Sequence, residues 1–353
     1  MADYTNGSSL LVDEYLNVRH PLRFDENGHF RVLFLGDPHG GFDMHPQVKP
    51  ALETVVAAAR PDLVLFPGDL AGCHIGVRNE KELRDYLDYL MEYLETNHIP
   101  WAHVYGNHDD NLGLPNDVQE TIYESYEWCV SKRSPADIDG DSNYVLPILA
   151  HDSDEPLWNI WALDSHDDNR RFLESYGLNP AMPVRLINHF GDGGGNDNPH
   201  FNQIAWYVKT SEAIEKHYGR KVPAILFEHM PLPEYSLIPR NPYLTQMDGD
   251  YHDQICSSEL NFGLFAAALQ RGDVKGFFCG HEHINSFTGV YLGIRMSYVG
   301  GINYECGCRD DVRGGRIVDF DIADPEHFKT HMLKLQSLVG DAGNALPQYE
   351  RGE

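Results

Sequence analysis

Five short stretches each close an apolar run and then present side chains that can hold a metal ion. They are "LGDPHGG" with Asp37 and His39, "PGDLAG" with Asp69, "GNHDD" with Asn107, His108 and Asp109, "FEHMP" with His229, and "GHEH" with His281 and His283. One Asp-x-His or one His pair is weak evidence, because such residues often only form solvated turns. Five in order, each at the end of an apolar run, are far more specific. Carboxylates and imidazoles at buried strand ends are costly without partners, and metal ions are suitable partners. A carboxylate has two oxygens and can bridge two divalent ions about 3.5–4 Å apart. Histidine and asparagine complete the shells with neutral donors, so the ion pair keeps positive charge for an anionic substrate. Mixed nitrogen and oxygen ligation favours Mn, Fe, Zn or Co over Mg or Ca. A hydroxide between the ions would be the nucleophile for an in-line displacement.

The elements that must position these residues alternate along the chain. "FRVLFLGD", "DLVLFPGD" and "PWAHVYGNHD" read as buried strands, separated by helical patterns through "VKPALETVVAAAR" and "EKELRDYLDYLMEYLETN". Strands of this kind between helices predict a layered α/β core. Parallel strands bring their carboxyl ends to one edge of a sheet, where ligands bind. Further on, "SNYVLPIL" and "LWNIWALDS" read as neighbouring strands, "FNQIAWYVKTSEAIEKHYG" as a helix and "PAILFEHM" as a strand. "SSELNFGLFAAALQRG" reads as a serine-capped helix ending near Gly272. "VKGFFCGHEH", "FTGVYLGIRMSYVGG" and "GGRIVDFDI" read as three late strands of a second sheet. The predicted organisation is a lead-in at 1–28 with one edge strand, a single domain over 29–324, and a helical or irregular tail at 325–353. The Gly- and Asn-rich run within 165–202 is expected to be a long insertion loop over one end of the sheet.

Bulk composition excludes several classes. The 353 residues carry a formal charge of −27, from 54 acidic against 27 basic residues. Such a surface repels phosphate backbones, so nucleic-acid polymers and anionic membranes are not expected partners. It suits a protein that concentrates divalent cations. No basic stretch leads into an apolar core at the start, and no apolar run reaches membrane-spanning length. With six sparse cysteines, the expectation is a cytoplasmic protein with free thiols.

The set "GDPHG", "GDLAG", "GNHDD", the His229 of "FEHMP" and "GHEH" resembles the five sequence blocks of the calcineurin-like metallophosphoesterases. The blocks run from Asp37 to His283, and the strands beyond them fit the family's second sheet. The resemblance implies a four-layer α/β/β/α sandwich of two mixed sheets. It also implies one metal held by Asp37, His39, Asp69 and His283, and a second by Asp69, Asn107, His229 and His281. On the same basis His108 would give a hydrogen bond or proton to the phosphate or leaving group, and Asp109 would orient that imidazole. "HMPLPEY" and "RGDVKGFFCGHEHINSFTGVYLGI" are similar to a branch near the purple acid phosphatases that includes the Dcr2-like phosphatases. The purple acid phosphatases carry an iron-ligating tyrosine three residues after the bridging Asp. Gly72 stands there in this chain, so neither the purple chromophore nor a fixed ferric site is expected. Only about thirty residues precede the first motif, so the extra N-terminal β-domain of the purple acid phosphatases is expected to be missing.

These residues predict hydrolysis of phosphomonoesters, on a phosphorylated small molecule or a phosphoprotein. A phosphodiesterase on cyclic nucleotides or phospholipid headgroups is the same-site alternative. A metal-binding or interaction protein without turnover is the alternative of another class. Softer candidates are His45 and His74 near the motif loops, Asp164 as rim support, Glu234 in an ion pair, Cys73, and backbone amides of "GDGGG".

Overall fold

The computed structural model describes residues 14–343, apart from 42–43, 73–76, 110–111, 168 and 179–194. The strands are β1 (Leu22–Arg23), β2 (His29–Phe34), β3 (Leu63–Pro67), β4 (Trp101–Val104), β5 (Tyr144–Leu149), β6 (Pro156–Ala162), β7 (Ala224–Glu228), β8 (Val274–Cys279), β9 (Thr288–Tyr291), β10 (Ile294–Tyr298), β11 (Gly314–Asp321) and β12 (Phe328–Lys334). They form two mixed sheets, ordered β12-β11-β2-β3-β4 and β1-β5-β6-β7-β8-β10-β9. In the first sheet β2, β3 and β4 are parallel. In the second, β6, β7 and β8 are parallel.

Alternation along the strands explains the layering, since successive side chains point to opposite faces. Val32 and Phe34 of β2 and Leu63 and Leu65 of β3 meet Ile160 of β6, Ile225 and Phe227 of β7 and Phe278 of β8 between the sheets. Leu33, Val64 and Phe66 face the other way, onto helices α1 (Val48–Ala59) and α2 (Glu80–Thr96). Leu226 and Phe277 likewise face α4 (Phe201–Tyr218) and α5 (Leu264–Arg271), α3 being the short Asn116–Tyr123 helix beside β4. Every strand residue near the site is thus covered on both faces, which is why these strands read as unbroken apolar runs. The layers are α/β/β/α, as the motif blocks implied. Helix ends follow ordinary capping: Asn79 Oδ1 accepts from Glu82 N at 3.1 Å before α2, and Gly219 takes left-handed backbone after α4.

Four expectations are corrected. "GGRIVDFDI" is β11, and it joins the first sheet beside β2, with Ile317 opposite Leu33, instead of extending the second. Beyond residue 324 the chain is not merely helical or irregular, because β12 pairs with β11 at that sheet's edge. The helix expected from the Ser257–Ser258 pair begins only at Leu264. Ser258 Oγ accepts from Leu260 N at 3.0 Å and Asn261 Oδ1 from Gly263 N at 2.8 Å, local turns that compete with helix. Cys129, Cys256, Cys279 and Cys308 are free thiols, but Cys306 is disulfide-bonded, against the free-thiol expectation. No helix among the described residues is long and apolar enough to cross a membrane.

Candidate metal centre

The carboxyl ends of β2, β3 and β4 meet those of β7 and β8 at one rim, and all five motif stretches leave the sheets there. The backbone bends sharply as it does so. Asp37, His39, Asp69 and His281 all adopt left-handed backbone, with φ of 51°, 49°, 50° and 73°. Non-glycine residues in that region cost about 1–3 kcal/mol each, and such strain concentrates at functional sites. Close approach also demands glycine at Gly106, where a Cβ would stand 2.3 Å from Asp69 Oδ1. Gly72 has φ +97°, and a Cβ there would lie 2.8 Å from the His108 carbonyl oxygen. A side chain at that position would have to displace the His108 loop.

One atom from each of Asp37, His39, Asp69 and His283 lies within 4.8 Å of the others, a grouping that could hold a metal ion. His39 Nε2 is 2.8 Å from His283 Nε2 and 3.5 Å from Asp69 Oδ2, and His283 Nε2 is 3.7 Å from Asp37 Oδ1. Buried Asp37 Oδ2 has no hydrogen-bond partner among the described residues, as a ligand oxygen awaiting a cation would not. A second convergence shares Asp69. Its Oδ2 lies 3.3 Å from His229 Nε2, and Asn107 Oδ1 lies 3.0 Å from that nitrogen and 3.1 Å from His281 Nδ1. The donor types are carboxylate, imidazole and amide oxygen, a set suited to transition-metal ions.

The opposite ring nitrogens are anchored as expected for ligating histidines. His229 Nδ1 meets Pro67 O at 2.8 Å, and His283 Nδ1 meets Cys306 O. His281 differs, because its Nε2 faces the amide nitrogen of Asn196, a donor, at 3.0 Å. The sequence offered no signal for Asn196 beside His281, because the two are 85 residues apart.

Electrostatics at the rim favour a cation. Burial lowers His39 well below the usual imidazole range, and pushes His281 down to about 3 and His283 to about 4, so all three present neutral rings. His229 goes the other way. Burial opposes its charge, but Asp69 and Asp37 outweigh burial and raise it to about 10. Burial raises Asp37, while His229 and His39 overcome burial to hold Asp69 low. The carboxylates therefore draw a proton onto His229 where a metal ion would supply the charge. Exposure is graded outward: His39 and His229 side chains are fully buried, while His281 and His283 are 17% and 16% exposed. A cavity of about 510 Å³ opens beside these two, lined also by Asp253, Glu282, Ile284, Cys306 and Gly307.

His108 lies at this rim, half-buried, its ring edge-on to His39 at 5.1 Å between centroids. Its backbone N–H donates to Asp69 Oδ1 at 2.9 Å. Asp109 differs from expectation. Its carboxylate accepts from Ala71 N and Gly106 N at 2.9 Å and from Leu70 N at 3.3 Å, and no hydrogen bond among the described residues joins it to the His108 ring. It ties the "GDLAG" turn to the "GNHDD" turn. Among the softer candidates, His45 stacks on Tyr304, and Asp164 accepts backbone N–H bonds from Asp141 and His166. Glu234 accepts from the Asn261 amide in place of the expected ion pair. Cys73, His74, Asp110 and most of "GDGGG" lie outside the described residues.

Comparison with known proteins agrees with this geometry. A family model described as calcineurin-like phosphoesterase matches residues 30–285. "Probable inactive purple acid phosphatase 14" of Arabidopsis thaliana is 28% identical over 314 residues, covering 81% of this chain and 73% of that protein. "Phosphatase DCR2" of Saccharomyces cerevisiae is 25% identical over 296 residues, 75% of this chain and 46% of that protein. A dimetal phosphatase from Danio rerio superposes with a TM-score of 0.53 at 15% identity, over 86% of this chain and 98% of its own. A family match over more than half the chain, two mixed sheets in four layers and a candidate metal site at their common rim make this chain a member of the calcineurin-like phosphoesterase family.

Proposed function

We propose that this protein is a dimetal phosphomonoesterase. Asp37, His39, Asp69 and His283 would hold one ion, and Asp69, Asn107, His229 and His281 the other, with Mn, Fe, Zn or Co as the metals. The observation that carries this reading is the shared position of Asp69, whose Oδ2 faces His39 on one side and His229 on the other. When bound, two such ions supply a nucleophile at neutral pH and positive charge for phosphoryl oxygens. The protein's own part is to present neutral rings, exclude water from the floor and keep Asp69 ionised. His108, half-buried at the rim, would donate to the phosphate or the leaving oxygen. Asp109 would hold the loop carrying His108 through the three backbone N–H groups it accepts.

Asp253 lines the adjoining cavity, and a carboxylate there disfavours a polyanionic substrate. That supports a small phosphorylated molecule or a phosphoprotein over a nucleic-acid polymer. The "inactive" in the relatives' names belongs to those proteins; here every ligand position and His108 carry a side chain able to do the chemistry. The test is hydrolysis of an aryl phosphate against its bis-aryl diester with added Mn²⁺. Faster monoester turnover is expected. A diester preference of about tenfold or more, some 1.4 kcal/mol in barrier, would overturn the assignment.

A further inference from the structure

We infer that Asn303 is a positioning residue for the first metal site, that of Asp37, His39, Asp69 and His283; this rests on the dimetal reading above. Asn303 is 1% exposed, and each end of its side-chain amide meets a matching partner. Its Nδ2 donates to Asp37 O at 3.0 Å, across 266 residues of chain. Its Oδ1 accepts from Cys306 N at 3.1 Å and from Cys308 N at 3.4 Å. The Cys306 carbonyl in turn meets His283 Nδ1. A carbonyl can only accept, so Nδ1 carries the ring proton and Nε2 is left bare, as a ligating nitrogen must be. That bare Nε2 faces Asp37 Oδ1 at 3.7 Å. One buried amide thus ties the backbone of one ligand to the peptide that orients another.

The contact at Asp37 falls where support is needed. Asp37 holds left-handed backbone at φ 51°, a conformation that persists only when its surroundings over-determine it. Ile302 N donates to Gly36 O at 2.9 Å and Asn303 takes the next carbonyl, so two successive residues pin the turn that carries this ligand. Asn303 is fixed in its turn by buried Arg313. The guanidinium donates from Nε to Asn303 O at 2.8 Å and from Nη2 to Cys308 O at 3.3 Å, and it lies 3.7 Å from the centre of the Tyr304 ring. Asp37 and His283, the two ligands that Asn303 reaches, both belong to the first site, so its loss should fall there.

The test is calorimetric titration of chelator-stripped full-length protein with MnCl₂, without reductant because Cys306 is disulfide-bonded. Wild type should bind in two steps. His39→Ala removes a ligand of the first site alone and Asn107→Ala one of the second, so these variants assign the steps. Asn303→Ala should weaken the His39-dependent step by about 10–100-fold, as loss of a ligand's outer partner does, and leave the other near wild type. A merely structural role would weaken both steps alike. Hydrogen exchange reads the same link with Asn303 in place, since coupling is reciprocal. In Asn107→Ala, which retains the first site, added MnCl₂ should slow exchange at the Cys306 N–H. Two wild-type steps in Asn303→Ala, equal weakening of both, or unchanged exchange at Cys306 would overturn the assignment. A single step in wild type would instead overturn the dimetal reading on which it rests.

Discussion

His39 Nε2 and His283 Nε2 stand 2.8 Å apart at the floor of the rim, brought there from the ends of strands in two different sheets. Burial favours the uncharged form of both rings. Two neutral imidazoles facing each other beside Asp37 and Asp69 are better satisfied by a cation than by one shared proton. Mn²⁺ or Zn²⁺ at a hundredfold excess over its Kd should therefore stabilise the fold by about 2.7 kcal/mol. Thermal unfolding with metal and with chelator measures this, and His283→Ala should lose most of the gain. An unfolding temperature indifferent to metal would contradict the site.

His108→Ala should lower kcat by roughly 10²-fold or more while leaving the bound-metal content unchanged. The reason for the split is that His108 contributes its backbone N–H, not its ring, to Asp69, and alanine keeps that bond. Elemental analysis beside steady-state kinetics separates the two effects.

Asp109→Ala should destabilise the protein by about 3 kcal/mol or more, because three backbone N–H groups lose their buried acceptor. Denaturant unfolding provides the measurement. If Asp109 only oriented His108, stability would be nearly unchanged and the loss would fall on turnover.

A pH dependence of stability follows from a buried pair behind β4. His103 and Glu120 are 3.5 Å apart and almost inaccessible. Burial pushes Glu120 up from 4.5 to about 8, so folding takes up a proton there between those values. Burial pushes His103 down from 6.5 to about 3, so folding releases a proton there over that range. The opposing slopes cancel from 4.5 to 6.5, and stability then falls from pH 6.5 to about 8 as Glu120 ionises in the native state. One proton over about 1.5 pH units is on the order of 2 kcal/mol. Unfolding of wild type and Glu120→Gln at pH 6.5 and 8 isolates this pair, and the variant should lack that part of the fall.

Much of the site was legible because its residues follow apolar runs whose ends must lie together in a layered α/β protein. Asp37, Asp69, Asn107, His229 and His281 converge for that reason alone. The role of Asp109 was not legible, since its acceptors' partners are backbone groups that carry no residue identity. Asn196 was hidden by distance along the chain and by a loop whose composition suggests only flexibility. β11 was misplaced because a two-sided apolar strand fits either sheet, and only its antiparallel pairing with β2 decides. The late start of α5 reflects Ser258 and Asn261 bonding their own backbone, a choice that a serine-cap signal cannot distinguish from helix initiation.

The most direct test is the rate of aryl phosphate hydrolysis by chelator-stripped protein as Mn²⁺ is added one equivalent at a time. The account predicts a rate near background through the first equivalent and a steep rise with the second. Two ions bound with neither an aryl monoester nor a diester hydrolysed would contradict it.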